Sequence, residues 1–169
     1  AMATGVPGGF HTARHCHPRD TLLWSVSGTM RVRTDTEAWI VPPDRAVYLP
    51  TAVEHEIHIR GEVGMRTLYI APGHGMPDRP AVLEVSGLLR SLILALIDEP
   101  VLYEQTGRGG AIAALILSEI HGARRLPFML PMPLDRRIVR VCDALLADPA
   151  FARNQALWAR TGSGCVTPP

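Results

Sequence analysis

Cysteine is scarce in this chain of 169 residues: Cys16, Cys142 and Cys165 stand far apart, odd in number and without a CxxC pair. Such a set excludes a disulfide framework and a cysteine zinc finger, and it points to a reducing compartment, the cytoplasm. An excess of charge is lacking as well. Seventeen basic against sixteen acidic side chains leave a formal charge of +1, which argues against the strongly basic surface of a nucleic-acid binder and favours a small molecule or a protein as partner. No apolar run is long enough to span a membrane, since the most apolar window, 85–97, is interrupted by Ser86, Gly87, Arg90 and Ser91. Residues 1–10, AMATGVPGGF, lack the basic start and apolar core of a secretion signal, and the leading Ala-Met reads as a cloning remnant. Enzyme signatures are missing too: no Ser/His/Asp signature, no paired-carboxylate motif and no phosphate loop stands out. GRGG at 107–110 follows no strand, lacks the Lys-Ser/Thr of a P-loop, and reads as a linker or helix start.

What is present is apolar and regularly punctuated. A hydrophobic content of 47% over this length fits one compact domain with an appended helical part. From Phe10 to Pro72 the apolar runs are short and separated by turn residues, as in an antiparallel meander. Strands are expected near 14–17, 22–27, 30–34, 38–41, 46–49, 54–59 and 65–71. Gly28-Thr29 fits a tight hairpin between LLWSVS and MRVRT, and Thr36-Glu37 fits another. Pro42, Pro43 and Pro50 cannot donate to a ladder, so they bracket RAVYL as a short strand reached through bends. After the loop APGHGMPDRP the period lengthens to nearly four, predicting a helix that ends at Asp98-Glu99-Pro100, a second over 111–121 and a third after Pro133. RRLPFMLPMP, between the last two, reads as an extended connector. The expected division is a β-barrel over 1–74, helices over 75–148 and a tail over 149–169.

Chemistry concentrates in the histidines. In VEHEIHI, Val53, His55, Ile57 and Ile59 share the apolar face, while Glu54, Glu56 and His58 share the other. His15 and His17 share a face and Cys16 points away. If the strands roll into a barrel, two histidines at i and i+2 and one from a distant strand form three sides of a coordination sphere. Imidazole ligands suit zinc, nickel, iron or copper, with further positions open to water or a ligand. The alternative is three histidines that line an effector pocket or are hydrogen-bonded in the core.

The ordered motifs HCHPRDTLLWSVSGTMRV, WIVPPDRAVYLPTAVEHEI and MRTLYIAPG resemble the cupin-type amino-terminal domain of AraC/XylS-family transcriptional regulators. VLEVSGLLRSLILAL, LPMPLDRRIVRVCDALLADPA and the late WAR extend the resemblance over nearly the whole chain. It implies a cupin barrel, a double-stranded β-helix or jelly roll, that binds a small effector, followed by helices that form a homodimer. It also implies a carboxy-terminal domain of two helix-turn-helix units that binds DNA. Only TGSGCVTPP follows the segment resembling the start of that domain, so this chain alone is expected not to bind DNA. Metal-binding cupins leave three or four residues between HxH and a Glu. Here Thr21 takes one of those places, and Asp20, one residue early, would need a bulge to turn inward.

Two functions follow. The first is an effector-sensing and dimerisation domain, with His15, His17 and His55 holding a metal or lining the pocket, and Thr21, Trp24, Trp39 and Tyr48 as further pocket candidates. Leu89, Leu92, Ile93 and Leu96 would form its dimer face. The second is a free-standing metal-dependent cupin enzyme, in which the three histidines hold the metal and Asp20 or Glu54 is an additional ligand or base. Resemblance over nearly the full chain favours the sensor.

Overall fold

Short alternating segments give short strands, and their two faces bury against different layers. The structure is a computed structural model that describes residues 1–133 and 135–147. Its strands are β1 (Met2–Val6), β2 (Asp20–Ser25), β3 (Met30–Arg33), β4 (Glu37–Val41), β5 (Arg45–Leu49), β6 (Glu56–Ile59), β7 (Val63–Ile70), β8 (Ala81–Glu84), β9 (Arg125–Leu126) and β10 (Leu130–Pro131). The helices are α1 (Gly87–Ile97), α2 (Arg108–Gly122) and α3 (Arg136–Ala147). One antiparallel sheet has the order β1-β7-β2-β5-β8-β9, and the other β10-β4-β3-β6. The protein is therefore mainly β, two sheets with helices appended.

The space between the sheets is apolar. Leu23, Met30, Val32, Trp39, Val41, Val47, Leu49, Ile57 and Ile59 meet there, all essentially removed from water. The opposite face of the larger sheet presents Leu22, Trp24, Ala46, Tyr48, Leu68, Ile70 and Leu83 to α1 and α2. Both faces of β2 and β5 are thus buried, which explains why DTLLWS and RAVYL carry apolar residues on consecutive positions rather than in strict alternation. Helix α1 starts at Ser86, whose hydroxyl accepts from the Leu89 amide (3.0 Å) and donates to Glu119 of α2 (2.7 Å). That cap fixes the helical register in which Leu89, Leu92, Ile93 and Leu96 point into the sheet.

Several sequence expectations need correction. The first ten residues are part of the fold: β1 pairs with β7 from Met2↔Thr67 to Val6↔Val63, covering the edge of the larger sheet. Leu22–Ser27 and Met30–Thr34 do not form a hairpin, because β2 and β3 lie in different sheets. The chain crosses between them at Gly28, which has φ +72° and no room for a Cβ, since one would lie 2.3 Å from the Glu62 carbonyl oxygen. The turn after Thr34 does close the β3–β4 hairpin, with the Thr34 amide donating to the Glu37 carbonyl at 2.8 Å. Residues 14–17 are not a regular strand: His11 and His15 make isolated bridges to His58 and His55 along the edge of β6. The proline-rich connector 124–133 also gains structure. Its β9 pairs with β8 and its β10 with β4, so one connector reaches both sheets. Consequently the sheets take strands from beyond residue 74. The four leucine and isoleucine side chains assigned to a dimer face are instead occupied within the chain, at 1%, 9%, 0% and 7% exposure for Leu89, Leu92, Ile93 and Leu96. The tail at 149–169 lies outside the described residues.

Candidate metal centre

The site begins with a backbone pairing. His15 and His55 exchange both amide-to-carbonyl hydrogen bonds, at 3.0 and 2.8 Å, and such a directly opposed pair puts its side chains on the same face. His17, two residues on, repeats that direction. The three rings consequently converge, with centroids 4.4 Å apart for His15 and His55, 4.9 Å for His15 and His17, and 5.3 Å for His17 and His55. One nitrogen from each lies within 4.8 Å of the others. Ligands sharing an ion at about 2.1 Å are at most about 4.2 Å apart, so closing onto one needs a shift of well under about 1 Å per ring.

The tautomers are set by carbonyls. Nδ1 of His15 is 2.8 Å from the Ala13 oxygen and Nδ1 of His55 is 3.0 Å from the Val53 oxygen. Each Nδ1–H donates there, leaving Nε2 as the lone-pair nitrogen. Nε2 of His55 is buried and has no hydrogen-bond partner. Leaving a buried polar atom unpaired costs roughly 1–3 kcal/mol, which a ligand on that nitrogen recovers. Burial, above all, pushes the His55 imidazole below its ordinary 6.5, with His15 and His17 adding to the effect and the Val53 carbonyl opposing it. Burial and then His15 do the same to His17. Neutral imidazoles are the form that binds a metal.

The carboxylates proposed from sequence stand elsewhere. Asp20 accepts from the amide and hydroxyl of Thr51, at 2.8 and 3.0 Å. In that role it holds the turn 50–53, where Ala52 adopts φ +62° and donates its amide to the His17 carbonyl at 3.0 Å. Asp20 is a positioning residue for the histidines rather than a ligand. Glu54 is exposed and paired with Arg14 at 3.1 Å on the outer face. The pocket candidates also divide. Thr21 is buried on the inter-sheet side of β2, and its hydroxyl donates to the Arg19 carbonyl at 3.2 Å. Trp39 fills the inter-sheet core. Trp24 and Tyr48 face the helices, not the barrel interior; Trp24 donates its indole N–H to the Pro43 carbonyl at 2.8 Å. The Tyr48 phenol is pushed up by burial first and by the facing Asp20 carboxylate second. Tyr69, absent from the sequence reading, opposes Thr21 on β7 and sets its ring edge-on to His17 at 5.1 Å. Its signal was available only through the β2–β7 register, which a single strand does not reveal.

Comparison with known proteins fits this geometry. The cupin-domain family model matches residues 2–71, the segment that holds all three histidines. The HTH-type transcriptional regulator NimR of Escherichia coli K12 is 23% identical over 146 residues, covering 86% of this chain and 54% of NimR. Residues 2–71 thus match the cupin domain, and the chain as a whole is similar to an AraC-type regulator. The chain is similar in fold to ToxT from Vibrio cholerae, with a TM-score of 0.52 over 94% of this chain and 68% of ToxT at 4% identity. A ToxT structure with bound unsaturated fatty acid superposes equally well, at 0.52 over 93% of this chain and 66% of that one, with 9% identity. The chain thus spans about half the length of NimR. No described helix is long and apolar enough to cross a membrane.

Proposed function

We propose that this protein is the effector-sensing and dimerisation part of an AraC-type transcriptional regulator, working in the cytoplasm, and that a divalent transition metal held by His15, His17 and His55 is part of its sensing site. The observation that carries the metal is the buried, unpartnered Nε2 of His55, aimed among two other imidazoles and with its Nδ1 already engaged. Bound there, zinc, nickel, iron or copper would supply a Lewis-acid centre with open positions for a small ligand. Around it the chain's own groups do the positioning: two carbonyls orient His15 and His55, the Asp20-held turn anchors His17, and Tyr69 flanks the approach.

Among the described residues no carboxylate joins the three histidines, and this favours sensing over the alternative of a metal-dependent cupin enzyme. Regulator and ligand-bound relatives support a small-molecule effector. Operator binding is assigned to a DNA-binding domain, not to the cupin domain itself. The deciding experiment is elemental analysis of protein purified without a nickel column, for wild type and for His17→Ala with His55→Ala. Stoichiometric metal in the wild type and none in the folded variant supports the centre. Equal metal content in both, or none in either, removes it and leaves an organic effector pocket.

A further inference from the structure

A second opening lies outside the space between the sheets. Between β7, the end of α1 and the first half of α2 the packing leaves a cleft of about 510 Å³, within the range of about 300–1,000 Å³ usual for small-molecule sites. None of the three histidines lines it; Tyr69, edge-on to His17, stands as the wall between the two sites. Its inner wall is apolar, formed by Leu68, Ile70, Leu96 and Ile116. The reason it stays open is written in α2, which turns Gly110, Ala113, Ala114 and Leu117 toward it at the i, i+3, i+4, i+7 spacing of one helix face. Three small residues occupy positions where a packed helix puts large ones. The wall opposite is fixed by the glycine pair of GRGG. A Cβ on Gly109 would lie 2.5 Å from Tyr103, and one on Gly110 would lie 1.8 Å from the Gln105 carbonyl oxygen. Loop 103–105 therefore sits directly on the helix backbone and holds Tyr103 as a rigid side of the cleft.

The rim carries the chemistry. Ala1, Arg19, His74 and Gln105 line the cleft, and no aspartate or glutamate does. The exposed Arg19 guanidinium makes no ion pair among the described residues, unlike Arg14, Arg33 and Arg45. An apolar pocket with donors and an unpaired guanidinium at its edge complements a small carboxylate with an apolar body. We infer that this helix–sheet cleft is a binding site for such a monocarboxylate, separate from the histidine centre and independent of whether metal binds there.

The test is a methyl-resolved NMR titration of the full chain with octanoate, 1-octanol and octyltrimethylammonium as probes. Octanoate is expected to shift the methyl signals of Ile70, Leu96, Ile116 and Leu117 while leaving Val32, Val41 and Val47, between the sheets, in place. Loss of the ion pair in Arg19→Gln should weaken octanoate by about tenfold, to the level of octanol. Ala114→Trp, at an exposed helical position, should abolish the shifts with the melting temperature unchanged. His55→Ala should retain them, which separates this site from the metal centre. Absence of shifts with millimolar octanoate, shifts confined to the inter-sheet methyls, equal binding of octyltrimethylammonium, or unaltered binding by folded Ala114→Trp would each overturn the proposal.

Discussion

At the scale of single residues the histidine cluster makes stability depend on pH in a definite direction. His55 and His17 are held below 6.5 in the folded chain, while in the unfolded chain they titrate near 6.5. Above that value both states are neutral and nothing is gained or lost. As pH falls below it the unfolded chain takes up protons first, so the metal-free fold loses stability until the folded groups titrate as well. Urea unfolding of metal-free protein should show a midpoint that falls from pH 7.5 to pH 5, and His55→Gln should flatten that fall. Asp20 supplies a second residue-scale expectation. Asp20→Ala releases the Thr51 amide and hydroxyl and should lower metal affinity about 10- to 100-fold while the three ligands remain, as loss of an orienting partner does elsewhere. Competition with a chromophoric chelator reads it; unchanged affinity would mean that the turn holds His17 without Asp20.

The elements show how far a sequence pattern reaches and where it stops. The i, i+3, i+4, i+7 spacing of Leu89, Leu92, Ile93 and Leu96 correctly located α1 and its apolar stripe, because helical periodicity is local. What the stripe buries against is not local, and the partner is this chain's own sheet. Ile93→Ala should therefore destabilise the monomer by about 2–5 kcal/mol, measured by chemical denaturation, whereas Leu88→Ala at 54% exposure should stay within about 0.5 kcal/mol. Gly28 presents the same limit in a loop. A tight turn at Gly28 was legible, but a hairpin and a crossover between sheets use the same glycine, and only the strand order tells them apart. Gly28→Ala combines a left-handed backbone with a contact on the Glu62 carbonyl and should lower the melting temperature by several degrees. Of the site, His15, His17 and His55 were legible because period-two faces place them. Tyr69 and the true duties of Asp20 were not, since both depend on long-range register and on a side chain reaching across a turn.

On the scale of the whole molecule, covering the large sheet consumes the inner faces of α1 and α2, so any twofold association must draw on what stays exposed. Leu88 on α1 and Leu115 on α2 are 54% and 51% exposed. If the proposed homodimer forms through the helices, Leu88→Glu with Leu115→Glu should convert it to monomer in analytical ultracentrifugation, with the fold intact by circular dichroism. The connector from 124 to 133 has a wider consequence. Glu84 donates to the Arg124 carbonyl at 3.0 Å where α2 returns to the larger sheet, and Met132 donates to the Thr36 carbonyl at 2.8 Å at the edge of the smaller one. The helical hairpin is thereby a loop with both ends sewn into β structure, like a strap buckled at each side. It cannot peel away while the sheets stay whole, so hydrogen exchange in α1 and α2 should slow and quicken together with β5 and β8. A shift that a ligand caused at the edge of the smaller sheet would pass to the segment leading into α3 through the second buckle, along a path of fewer than ten residues.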